Sequence, residues 1–187
     1  MLSSGRWQLV CCSLKGNYRK RTPIRNMVRG LNRMATSIER LLWSIALPGF
    51  GQFLNGKLIK GLVIVFLEFL INVQANFNGV IISSFHGDIE KAIAETDYLW
   101  LMFYPCLYFF AMWDSFKDAG GGKNSYAFLP FVSSAYFVTV GCIYSSTFKL
   151  FGVLLGPVWL PILCVIPGVS VGVILMKIIS KKHIEPM

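Results

Sequence analysis

Acid and histidine are scarce in this chain: nine Asp or Glu and two His stand against 18 Lys or Arg in 187 residues. His86 and His183 lie far apart and belong to no HxxxH or Cys/His cluster, so no metal site with ordinary ligand spacing is expected. There is no GxSxG segment, and the pairs Ser83-Ser84, Ser133-Ser134 and Ser145-Ser146 have no spacing that implies a general base. A disulfide framework is excluded as well. Cys11 and Cys12 sit in a basic arm while Cys106, Cys142 and Cys164 fall inside apolar runs, so no loop offers a partner. The sequence therefore presents no catalytic residue, no cofactor site and no metal ligand.

What the chain has instead is apolar length: 55% of its residues are hydrophobic and the mean hydropathy is +0.58, with charge confined to the ends and a few gaps. That composition predicts an all-α polytopic membrane helix bundle rather than a soluble core. Half of the basic residues precede Leu41, next to the first apolar run. Attraction of this arm to anionic lipid headgroups accounts for the excess charge without a nucleic-acid partner. Residues 1–40 read as a basic cytoplasmic arm, disordered until about Ala35, with too few grouped apolar residues to form a core. Trp7–Cys12 is too short for the apolar core of a signal peptide.

The membrane domain is expected over 41–180, followed by a basic cytoplasmic tail at 181–187. Leu41–Leu54 would reach only about 21 Å as a helix, short of a hydrocarbon core of roughly 30 Å. Pro48, Gly49 and Gly51 would break it midway, which predicts a re-entrant or interfacial half-helix over 41–54. Spans are expected at about 61–77, 98–113, 126–148 and 150–176, about four in all. The interval from 78 to Asp97 reads as a polar acidic loop, and Gly120-Gly121-Gly122 as a helix stop with a flexible loop. Pro157, Pro161 and Pro167 argue for kinks or a break in the last span. If Leu41–Leu54 does not cross, only Lys91 and Lys149 lie outside; if it does, Lys57, Lys60, Lys117, Lys123 and the tail lysines lie outside instead. The positive-inside rule favours the first arrangement, with both termini cytoplasmic.

The chain is organised around Leu47–Gly61, LPGFGQFLNGKLIKG. Pro48, Gly49, Gly51, Asn55, Gly56 and Gly61 mark places where backbone freedom or close approach matters more than bulk. Gly51–Lys57 imitates part of a phosphate loop, but Leu58 stands where Ser or Thr would hold magnesium and no strand precedes it. Glu68 lies about 10 Å into the expected span, and Asn72 follows one turn later on the same face. A carboxyl at that depth should face the bundle, as interhelical glue bonded to amides near Gly49–Gly51 or as part of a proton or ion pathway. Asp114, Lys117 and Asp118 read as a local ion pair at a helix end.

PGFGQFLNGKLIKG with the apolar helix behind it resembles the glycine- and aromatic-punctuated hairpin of TM2-domain-like small bacterial membrane proteins, over about Leu41–Leu70. Such proteins pair two helices across a short linker, often with an Asp-Arg-Phe turn, where this chain has Asn55-Gly56-Lys57 and further spans. The resemblance implies a small integral protein of the bacterial cytoplasmic membrane and supplies no catalytic residue. The leading expectation is a non-enzymatic protein that works through helix contacts with another membrane protein or with itself. The alternative is a transporter or channel component using Glu68.

Overall fold

The computed structural model describes residues 36–182, which form helices and one two-stranded hairpin. The fold is all-α. The expected disorder up to Ala35 and the last residues of the tail lie outside the described residues. Residues 36–40, grouped with the arm by their charge, are helical: they open α1, whose described part is 36–46.

The chain turns at Pro48 into α2 (Phe50–Leu54) and then enters α3 (Leu58–Gln74). α4 (Phe77–Phe85) follows at a bend of 63°, with Asn76 at its corner in a left-handed conformation that Asn tolerates better than most residues. α5 (Ile89–Glu95) comes next, so most of the stretch expected to be a polar loop is helical. The reason is apolar patterning among the charges: Val80 and Ala92 are fully buried against each other and Val158. α6 (Tyr98–Leu101) is a single turn capped by Asp97, whose carboxylate accepts from the amides of Leu99 and Trp100. α7 (Phe103–Asp118) leads through the glycine stop to α8 (Leu129–Tyr144). The strands β1 (Lys149–Leu150) and β2 (Val153–Leu154) pair antiparallel, Leu150 opposite Val153, and α9 (Gly156–Lys182) ends the fold.

α9 is continuous through Pro161 and Pro167, so the break allowed for at its prolines does not occur. Pro157 stands where a helix amide has no acceptor in any case. Pro161 comes only a turn later, and α8 supports the helix across Pro167. This α8–α9 seam is the most extensive in the fold, and it is close because Gly168 lies against the Ser134 backbone, where a Cβ would come within 2.7 Å of Ser134 Cα.

α9 is also long and apolar enough to cross a membrane: Gly156–Lys181 holds an 18-residue stretch of mean hydropathy 2.5, of which only 11% is buried. α3 and α4 meet the same test only together across their bend, and α8 is apolar but shorter. Among the described residues, length and composition thus mark one clear crossing helix, or two if the bent pair counts as one.

Two ends can be told apart by their contacts. At one, Ser37 donates to the Ala119 carbonyl and Asn124 to Ser180 Oγ. At the other, Trp159 in the first turns of α9 donates to the Ser84 carbonyl and stacks beside Phe85, while Gly156 rests on Ile89.

Candidate functional site

α1 and α2 form a helical hairpin laid against α7. Ser115 Oγ donates to the Arg40 carbonyl at 3.3 Å, and one end further on Tyr108 OH donates to the Ile45 carbonyl at 2.7 Å, so α1 runs antiparallel to α7. The reversal is local chemistry. Pro48 cannot supply an amide to continue α1 and biases Leu47 away from the helical region. Gly49 then takes φ +95°, and the amide of Phe50 bonds back to the Leu47 carbonyl.

α2 closes with a Schellman motif. The Lys57 amide reaches the Gln52 carbonyl and the Gly56 amide the Phe53 carbonyl, with Gly56 left-handed at φ +73° in open space. Gly51–Lys57 is therefore a helix and its cap, whose last amides are spent on its own carbonyls, and it forms no phosphate cradle.

The other predicted small residues are contact points. Pro48 is fully buried. Gly49 and Gly61 back onto each other: a Cβ on Gly49 would meet the Gly61 carbonyl at 2.8 Å and Val65 Cγ2 at 2.6 Å, and one on Gly61 would enter the Phe53 ring. Gly51 is tighter still. A Cβ there would overlap the hydroxyl oxygens of Ser44 and Ser115 and stand 2.7 Å from the Arg40 carbonyl, so α1, α2 and α7 meet at this one residue. Asn55 donates to the Ser115 carbonyl at 2.9 Å.

Between these contacts lies a residue that sequence reasoning passed over. Gln52 is fully buried and its Nε2 donates to the Ala111 carbonyl at 2.8 Å and to Asp114 Oδ2 at 3.2 Å. Both partners are acceptors, which fixes the orientation of the amide. Lys60 completes the cluster from α3, at 2.8 Å from Asp114 Oδ1 and 3.1 Å from Asp118 Oδ2. The local ion pair expected within Asp114, Lys117 and Asp118 is thus replaced by a bridge between helices, and Lys117 instead stands 6.0 Å from the centre of the Trp113 ring. The available signal was spacing: Gln52 and Asn55 are i and i+3 on one face, and Asp114 and Asp118 are i and i+4 on another. Ser44 Oγ, Arg40 Nε and Gln52 Oε1 are buried without a hydrogen-bond partner among the described residues.

Glu68 and Asn72 do not join this cluster or each other. Glu68 accepts no bond from amides near Gly49–Gly51; its Oε2 is buried without a partner, within electrostatic reach of Tyr104 and Tyr108. Asn72 instead donates to Asn78 Oδ1 at 3.4 Å, across the α3–α4 bend. The physical reason is register: Gly49 lies against Gly61 and Val65, and Glu68 is almost a turn beyond Val65. Tyr104 and Tyr108 also line a cavity of about 360 Å³ whose other walls, among them Phe77, Val138 and Pro161, are apolar; Glu68 is not one of its walls. Among the described residues no three His, Cys, Asp or Glu side chains come together as metal ligands.

The arrangement can clamp helices to one another, with Gln52 fully buried between them and Lys60 half exposed at the edge. No family model, curated protein or solved structure matches the chain.

Proposed function

We propose that this chain is a small, non-enzymatic integral membrane protein with four crossings by α3, α7, α8 and α9, acting through helix contacts with another membrane protein or with itself. The observation that carries the reading is the surface of α9. A soluble protein would bury an 18-residue stretch of mean hydropathy 2.5 in its core, and burial of only 11% of it leaves that surface to lipid or to other helices. Exposed side chains on α3, including Ile59, Leu62, Phe66 and Phe69, extend the same surface. α1 and α2 then form a re-entrant hairpin with Ser44 and Gln52 fully buried, as such a segment requires of the polar groups at its deep end. Charge supports a cytoplasmic placement of both termini, and the resemblance of residues 41–70 supports a bacterial cytoplasmic membrane. Anionic headgroups would meet the basic arm.

A second reading, a transporter or channel component, has one observation in its favour: the partnerless carboxylate oxygen of Glu68. The two readings part on Glu68→Gln, which keeps shape and a carbonyl acceptor but removes the titratable proton. Helix contact predicts that Glu68→Gln accumulates normally and cross-links in native membrane to the same extent as the parent. It also predicts that Glu68→Leu is at least as heat-stable in detergent, since it removes a buried unpaired acceptor. A proton or cation flux in proteoliposomes that the parent supports and Glu68→Gln abolishes, at equal abundance, would put transport ahead.

A further inference from the structure

The hairpin between α8 and α9 spends backbone freedom on an aromatic tip. β1 and β2 are joined by two residues, Phe151 at φ +51° and Gly152 at φ +83°, the left-handed pair typical of a type I′ turn. Asn, Asp or Gly ordinarily fills the first position, and a bulky residue there is a genuine outlier. Phe151 is moreover 98% exposed, more than any other large hydrophobic residue among those described. A water-facing turn has no use for such a ring.

Its neighbours share the character. Tyr144 and Phe148 are exposed before the hairpin, and Val153 and Lys149 are exposed on its two strands. Aromatic rings flanked by apolar side chains and a cation suit the boundary between headgroups and acyl chains. The hairpin is continuous with that boundary in the chain, since α9 begins two residues after β2 and carries the exposed apolar surface described above.

We propose that the tip is an interfacial anchor: Phe151 inserts into the headgroup–acyl boundary of the lipid leaflet around the start of α9, with Lys149 at the anionic headgroups. This rests on the membrane reading. It goes beyond that reading by assigning a lipid-binding role to a connection otherwise read only as a turn.

The test uses the full chain with native cysteines replaced, reconstituted in phosphatidylcholine and phosphatidylglycerol vesicles. Single cysteines at Phe151, Val153, Ile166 and Ser125 carry a polarity-sensitive fluorophore, and quenching is read with lipids brominated at shallow or deep acyl positions. The probes at 151 and 153 are expected to be blue-shifted and quenched most by shallow bromines, that at the exposed Ile166, midway along the apolar part of α9, by deep ones, and that at Ser125 by neither. Phe151→Asn suits the left-handed turn and should preserve the hairpin, yet the probe at 153 should lose its quenching in that background. Probes at 151 and 153 that behave like Ser125 while Ile166 is quenched would overturn the proposal and leave the tip to a protein partner. If Ile166 is unquenched too, the membrane reading fails and the anchor with it.

Discussion

Gly51→Leu will abolish accumulation of folded protein, and Gly51→Ala will lower it sharply. The first methyl already overlaps the hydroxyls of Ser44 and Ser115, and those could rotate; the Arg40 carbonyl at 2.7 Å belongs to the α1 backbone and could yield only by moving the helix. Overpacking of this kind costs about 1–3 kcal/mol for small additions, and a leucine exceeds what the seam can absorb. Gly56→Asn is the matched reference, because it stands in open space and Asn tolerates the left-handed conformation. Gly121, although it belongs to the expected flexible loop, is no such reference, since a Cβ there would meet the Phe116 ring at 2.6 Å. Fluorescence-detected size exclusion of a tagged chain reads all of these directly. Equal monodisperse yields for Gly51→Ala and Gly56→Asn would mean that α1, α2 and α7 do not meet at Gly51.

Gln52→Glu will be more damaging than Gln52→Leu, although it is the smaller change in shape. The leucine loses two hydrogen bonds, but Asp114 keeps Lys60, so the cost is about 1–3 kcal/mol. The glutamate turns an oxygen towards the Ala111 carbonyl and the Asp114 carboxylate. An uncompensated buried charge of that kind costs on the order of 3–5 kcal/mol. Asp114→Asn in the Gln52→Glu background should restore part of the thermal stability in detergent, because it removes the like charge and offers an amide donor. By contrast, loss of Lys60 alone should cost no more than about 1 kcal/mol, as its side chain is half exposed. Gln52→Glu at parental stability would contradict the cluster.

Sequence pattern carried the coarse architecture further than the site. Pro48 with the glycines around it marks the reversal between α1 and α2, because missing amides and left-handed conformations are written in residue type. The helical character of 77–95 was hidden, since its charged residues mask an apolar face that becomes evident only when Val80 and Ala92 meet Val158. The continuity of α9 was hidden for a related reason: proline declares a lost bond, and the support from α8 across the seam is tertiary. Glu68 drew attention by its charge, while the buried hydrogen bonds went to Gln52. A lone amide in an apolar run says little until the acceptors on α7, some sixty residues away, are brought beside it.

The central claim, that the exposed apolar surface is solvated by lipid in four crossings with both ends cytoplasmic, is tested most directly by sidedness. Asp88 follows α4 and Ser125 precedes α8, and both positions are exposed. Single cysteines at each, in a background without native cysteines, would be treated with an impermeant maleimide in intact cells and again after permeabilisation. Labelling of Asp88→Cys in intact cells, with Ser125→Cys reacting only after permeabilisation, is the predicted result; labelling of Ser125→Cys in intact cells would contradict it.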